Sequence, residues 1–222
     1  MTARILINPP QHAARNMAID EALLRLCRQP ILRLYAWQEP VVSIGYFQAA
    51  AVVESARSFI RRYTGGGLVD HAHDITYSII LPTHHPIYVM GTAGSYRVIH
   101  EGIAQAFEAL GCASTLAAVS QEETHPACFQ RPMRFDLVDP AGRKLAGAAQ
   151  RRTRAGCLHQ GSILPPSKNL DRSLWQSALR NHLLPLLAET IDAATELTAE
   201  EFKLAVELEE TRYGTHEWNY QR

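Results

Sequence analysis

The sequence predicts an α/β (α+β) protein in which mixed β-sheets are flanked by helices. Three observations carry that expectation. Short β-rich runs such as 31–37 and 41–46 recur along the chain, and amphipathic helical stretches, including one from Ser95 to Gly111, lie between and after them. Of the 222 residues, 46% are apolar, enough to bury one sizeable core. We expect a single domain over 1–222, with a C-terminal helical segment, 170–222, packed on it.

Residues 17–27 place Ile19, Ala22, Leu23 and Leu26 at helical spacing, with Asn16 as the expected N-cap and Cys27 as a small core residue. The runs 31–37 and 41–46, separated by Gln38-Glu39-Pro40, read as two strands around a turn. A short helical stretch near 52–58 leads into a strand at 59–63, and a long strand is expected over 68–81. Two prolines, two glycines and the adjacent His84 and His85 make 82–94 a loop. Ser95 then caps the amphipathic helix, with Cys112 buried just beyond it. Residues 113–133 break any periodicity. The runs 134–138 and 143–150 flank Asp139-Pro140-Ala141-Gly142, a turn sequence, and should form a hairpin presenting Lys144. Residues 151–156 form a basic turn, either a solvated corner or a docking surface for an acidic carrier. A strand at 157–164 follows, then helices at 174–187 and 199–208.

Lys and Arg together number 22, as do Asp and Glu, so no global charge draws the chain to nucleic acid or to membranes, and neither is expected as a partner. Cys27, Cys112, Cys128 and Cys157 are widely spaced with no C-x-x-C pair, which indicates neither a zinc knuckle nor a disulfide framework. His71 and His73 alternate along the expected strand, but no third ligand lies nearby. No metal site is expected, and His73 reads as a hydrogen-bonded structural histidine. With no signal-like segment and no apolar run of about 20 residues, a cytoplasmic location is expected.

The stretch Arg61-Arg62-Tyr63-Thr64-Gly65-Gly66-Gly67, continuing through Leu68-Val69-Asp70-His71 to Thr76-Tyr77-Ser78, is the most informative. Three glycines offer no side chain and cost backbone entropy, so something requires the bare backbone there. It is neither a Walker A sequence nor a G-x-G-x-x-G turn. A second block, Gly142-Arg143-Lys144-Leu145-Ala146-Gly147-Ala148-Ala149-Gln150-Arg151, follows downstream. Lys144, Lys168 and Lys203 are the chain's only lysines. A lysine beside Arg143 in an arginine-rich chain suits a task guanidinium cannot perform.

The glycine stretch resembles the signature of the lipoate-protein ligase and octanoyltransferase family, relatives of the biotin ligases, and the second block resembles that family's lysine motif. The resemblance runs from Asn16-Met17-Ala18-Ile19-Asp20-Glu21 through Ser43-Ile44-Gly45-Tyr46 and Leu158-His159-Gln160-Gly161-Ser162 to Tyr213 and Trp218-Asn219. It implies the biotin/lipoate ligase catalytic-domain fold, with a ligand channel against the glycine turn. Arg61, Arg62, Thr64, Gly65, Gly66, Gly67, His73, Tyr46, Gly147, Ala148 and Ala149 would bind substrate.

Spacing alone makes Cys128 an incidental loop cysteine. Ala127-Cys128-Phe129 ahead of the lysine strand, however, resembles the cysteine of the thiol-dependent octanoyltransferases. The resemblance therefore implies that Cys128 and Lys144 are catalytic. An octanoyl or lipoyl group would pass from acyl carrier protein through a Cys128 thioester to the lysine of a lipoyl domain, that of the glycine cleavage H protein or a dehydrogenase E2, with no cofactor. Two alternatives stay open. Gly67 is ligase-like, where many thiol-dependent transferases have arginine; an ATP-dependent lipoate-protein ligase would use ATP and Mg and no cysteine. Against that, the extra C-terminal domain of two-domain ligases is not expected within residues 1–222. The other alternative is an inactive acyl-binding module.

Overall fold

The computed structural model describes residues 1–53, 57–118, 132–166, 171–192 and 196–221. Elements follow in the order β1 (Thr2–Ile7), α1 (Ala13–Arg25), β2 (Ile31–Tyr35), β3 (Val42–Ile44), β4 (Phe59–Arg61), β5 (Val69–Asp70), β6 (Ile75–Pro82), α2 (Pro86–Val89) and α3 (Gly91–Ala109). Then come β7 (Thr115–Leu116), β8 (Leu137–Val138), β9 (Lys144–Arg152), β10 (Gly156–Ile163), α4 (Arg172–Leu187), β11 (Thr190–Asp192), α5 (Ala199–Leu208) and α6 (His216–Asn219). Among the described residues, one sheet has the order β11-β1-β2-β6-β10-β9-β8-β7, and a smaller one the order β4-β3-β5. The pairs β11/β1 and β1/β2 are parallel and the remaining large-sheet pairs antiparallel, so the sheet is mixed as expected.

Period-two alternation divides the core between the two faces of the large sheet. Ile75, Tyr77, Ile79 and Leu81 of β6 pack with Ile99, Ile103 and Phe107 of α3 and Leu179 and Leu183 of α4. On the opposite face Ile80 joins Met17, Ile19 and Leu23 of α1 with Ala205 and Leu208 of α5. This second face also carries charge. Asp20, fully buried, accepts from Arg33 (2.8 Å), Ser78 (2.7 Å), Tyr35 (3.2 Å) and Gln160 (2.7 Å), while Arg33 also bonds the carbonyl and side chain of Asn16. A buried carboxylate is tolerated when paired and fully hydrogen-bonded. Burial, with the Asp20 charge next in weight, holds the Tyr35 phenol well above its usual range, so it stays a donor.

Several local expectations change. Helix α1 begins at Ala13, and its first N–H is satisfied by Glu39 Oε1 (3.1 Å) from the β2–β3 connection; Asn16 is buried inside the helix. A carboxylate from elsewhere in the chain replaces a local cap. The two strands expected at 31–37 and 41–46 do form, as β2 and β3, but they do not pair, because each belongs to a different sheet. The long strand expected over 68–81 is broken between β5 and β6, where His71 and Asp74 bond each other as the chain crosses from the small sheet to the large one. The expected loop at 82–94 contains α2, capped by His85, and the start of α3; Gly91, at φ 76°, forms the junction. Ser95 lies within α3 and donates to Gly91 O (2.6 Å). The hairpin turn forms as read, with Gly142 at φ 79° and its N–H on Asp139 O. In α5, Ala205 and Leu208 are buried while Phe202 is largely exposed.

Candidate active site

A cavity lies on the α1 face of the large sheet. Its floor is Gly147, Ala148 and Ala149 of β9, Gln160, Gly161 and Ser162 of β10, Thr76 of β6 and Tyr35 of β2. It therefore crosses three interstrand steps, about 14 Å. Arg62, Gly66, Gly67 and Val69 roof it, Met17, Trp37 and His71 also line it, and Lys144 stands in its wall on β9. The small residues on β9 are what leave room on this face.

The glycine turn is held from below by Arg62, which donates to Gly65 O (3.0 Å), Gly67 O (2.7 Å) and Ser43 Oγ (2.6 Å). Ser43 Oγ also bonds His71 Nε2 (2.6 Å), and His71 Nδ1 pairs with Asp74 Oδ2 (2.7 Å). Trp37 stacks on the His71 ring at 4.2 Å and donates to Thr76 Oγ1. The carbonyls of Gly65 and Gly67 thus face Arg62, and among the described residues the N–H groups of Gly65, Gly66 and Gly67 donate to nothing. Gly66 sits at φ 81°, and a Cβ at Gly45 would lie 1.9 Å from Gly66 O, so two glycines are needed for the turn to close onto β3.

Of the expected site residues, Arg62, Gly66, Gly67, Gly147, Ala148, Ala149 and Lys144 line this one cavity. Thr64 lies behind it, donating to Gln160 Oε1 (2.7 Å), and Gly65 lies beside the Phe47 ring. Arg61 points away: its fully buried guanidinium binds the carbonyls of Gly45, Tyr46, Gln48, Trp218 and Asn219, fastening the C-terminal segment to β4. Tyr46 is half-buried against Phe47 and Trp218, outside the cavity lining. His73 is exposed, and of this pair it is His71 that is buried and hydrogen-bonded; the break in the strand puts His73 in the crossing segment instead of on a strand face. Among the described residues no group of three or more His, Cys, Asp or Glu is placed to hold a metal.

Cys128 lies outside the described residues. Burial pushes the Cys27 thiol up to about 12 and the Cys157 thiol up to about 11, so neither supplies a thiolate near neutral pH. Met17, Tyr35, Trp37, Ser43, Gln160 and Ser162 were not foreseen as lining residues. Ser43, Gln160 and Ser162 fall inside blocks that carry the family resemblance, but only the cross-sheet register reveals which of their side chains face the cavity.

The Lipoyl protein ligase A/B catalytic domain family matches residues 12–181. The chain belongs to that family. It is 32% identical to the Octanoyltransferase LipM of Brevibacillus brevis, with 99% of each chain covered. The structure of the T. acidophilum protein Ta0514 with bound lipoic acid superposes with a TM-score of 0.83 at 24% identity, covering 100% of both chains, and shows the same fold. A bi-partite lipoate protein ligase from Thermoplasma acidophilum, solved in work that includes its E2 lipoyl domain, superposes with a TM-score of 0.69 at 25% identity, covering 99% of this chain and 96% of that one. The family membership and these likenesses agree with the biotin/lipoate ligase catalytic fold expected from the two motif blocks. No helix among the described residues is long and apolar enough to cross a membrane.

Proposed function

We propose that this protein is an octanoyltransferase that moves an octanoyl group from acyl carrier protein to the lysine of a lipoyl domain in the cytoplasm. The observation that carries the reading is the placement of Lys144 in the wall of a cavity floored by Gly147, Ala148 and Ala149 and roofed by the glycine turn. A medium acyl chain fits such a slot energetically. Each buried methylene contributes about 0.8 kcal/mol, so an octanoyl tail brings on the order of 5 kcal/mol. Similarity to LipM across nearly all of the chain favours transfer over ATP-dependent ligation.

In this reading the Cys128 thiolate attacks the carrier's thioester carbonyl. The carbonyl–sulfur bond to the carrier breaks, the carrier leaves as a thiolate, and the octanoyl group rests on Cys128. The ε-amine of the lipoyl-domain lysine, in its neutral form, attacks next: the carbonyl–sulfur bond to Cys128 breaks, the nitrogen gives up a proton to solvent as the amide forms, and Cys128 returns as the thiolate. One thioester replaces another in the first step, so no nucleotide or other cofactor is required. Lys144 donates to the oxyanion that develops in each step, and the undonated glycine N–H groups are further donors at the roof. Arg62, Gly66, Gly67, Gly147, Ala148 and Ala149 shape the slot. Glycine cleavage H protein and dehydrogenase E2 domains are the acceptors to try. The C-terminal segment belongs to the same unit as the cavity, since Arg61 binds it and Glu21 of α1 pairs with Arg212 (2.6 Å) and Tyr213 (2.6 Å).

The test is incubation with octanoyl carrier protein and an apo lipoyl domain, without nucleotide, followed by intact mass. The expected result is a gain of one octanoyl group on the lipoyl domain, lost in Cys128→Ser and reduced at least 100-fold in Lys144→Met. Modification only from free octanoate or lipoate with ATP would overturn the reading in favour of a ligase.

A further inference from the structure

Lys144 is held by a carboxylate that no motif singled out. Its Nζ lies 2.7 Å from Asp136 Oδ2, with the two side chains only 8% and 1% exposed. Asp136 Oδ2 also accepts from Met133 N (2.6 Å), and Oδ1 accepts from Tyr96 Oη. Tyr96 comes from α3 on the far side of the sheet and reaches the site past the edge of β9. Strand β8, antiparallel to β9, begins too late in the chain to pair with Ala148, and Tyr96 Oη accepts from that residue's N–H (2.8 Å) instead. Both oxygens of the carboxylate are thus fixed from elements other than its own partner's strand.

Two independent features show that the backbone is arranged around this pair. Phe135, directly before Asp136, is at φ 72°, the only non-glycine residue with positive φ among those described. That conformation costs roughly 1–2 kcal/mol and is held just beyond the paired residues of β7 and β8, where Phe135 N donates to Ala117 O and Ala117 N donates to Asp136 O. Gly147 supplies the space. A Cβ there would sit 2.2 Å from Lys144 Cε, 2.5 Å from Nζ and 3.2 Å from Asp136 Oδ1.

We infer that Asp136 is a positioning residue for the transfer reaction, fixed by Tyr96 so that the Lys144 ammonium is oriented before the acyl carbonyl arrives. The inference rests on the octanoyl-transfer reading of the site. An oxyanion donor acts best when its orientation is set in advance, because no reorganisation is then needed during the reaction. The carboxylate contributes orientation; Lys144 contributes the contact with substrate.

Asp136→Asn and Tyr96→Phe separate this role from a structural one. In Asp136→Asn, kcat for octanoyl transfer is expected to fall roughly 10- to 100-fold with KM for the acyl donor changed less than about 2-fold; Tyr96→Phe falls in the same sense by roughly 3- to 10-fold. The second readout needs no turnover. With three lysines in the chain, ¹³C-lysine NMR resolves Lys144 from Lys168 and Lys203. A fixed side chain shows two distinct ε-methylene proton shifts, expected to merge toward the exposed-lysine average in Asp136→Asn. Unmerged ε-proton shifts in that variant, or a kcat equal to wild type, would overturn the inference. If the wild-type protein transfers no octanoyl group, the transfer reading fails, and the NMR comparison still decides whether Asp136 orients Lys144.

Discussion

Thr64 Oγ1 donates to Gln160 Oε1 at 2.7 Å across 96 residues of sequence, joining the glycine turn to the middle of β10. Gln160 Nε2 passes the connection on to Asp20 of α1 (2.7 Å). The roof of the cavity is therefore braced by the same polar network that holds α1 on the sheet.

That brace has a measurable energy. Thr64→Val removes one neutral hydrogen bond and should cost about 1 kcal/mol, whereas Gln160→Leu strips a donor from a buried carboxylate and should cost about 2–4 kcal/mol. Urea unfolding of both variants and the double mutant measures this. The double mutant should lose less than the sum of the singles, since the two changes share one bond. Strict additivity would mean that the glycine turn and β10 do not communicate through this pair.

Gly147→Ala tests the space reserved beside Lys144. The added methyl meets the end of a flexible side chain, so the fold should survive with Tm changed by only a few degrees. The lysine must swing away, and octanoyl transfer should fall roughly 10- to 100-fold. Transfer within 2-fold of wild type would show that Lys144 works from another position.

Acid should unfold the protein partly through one histidine. His159, fully buried, bonds Tyr77 Oη (3.1 Å) and Gln150 Nε2 (3.0 Å), and burial pushes its pKa down from 6.5 to about 3. The unfolded chain takes up a proton near pH 6.5 that the folded chain refuses until about pH 3. The stabilising contribution is thus complete above pH 6.5 and is lost as pH falls toward 3, at no more than about 1.4 kcal/mol per pH unit. Urea midpoints at pH 7, 6, 5 and 4 should fall, and His159→Gln should flatten the decline. An equal decline in that variant would assign the acid sensitivity to other groups.

The glycine turn and the lysine strand could be read from residue order because each needs a composition found nowhere else in the chain: three glycines following two arginines, and small residues following a lysine. The hairpin at Asp139 to Gly142 was readable for the same local reason. The partition of polar residues was not. Asn16 looks like a cap and His73 like the better-placed histidine, yet Asn16 is an interior partner of Arg33, and His71 bonds Ser43 and Asp74.

By itself, then, the sequence determined the family, the alternation of strands and helices, and the two segments that face each other across the cavity. Only tertiary structure decided that Arg62 holds the turn while Arg61 holds the C-terminal segment, and that Asp136 and Tyr96 meet at Lys144. Turn and strand chemistry act within a few residues and leave a local trace. A buried ion pair assembled from separate elements depends on sheet order and register, which no short stretch of the chain encodes.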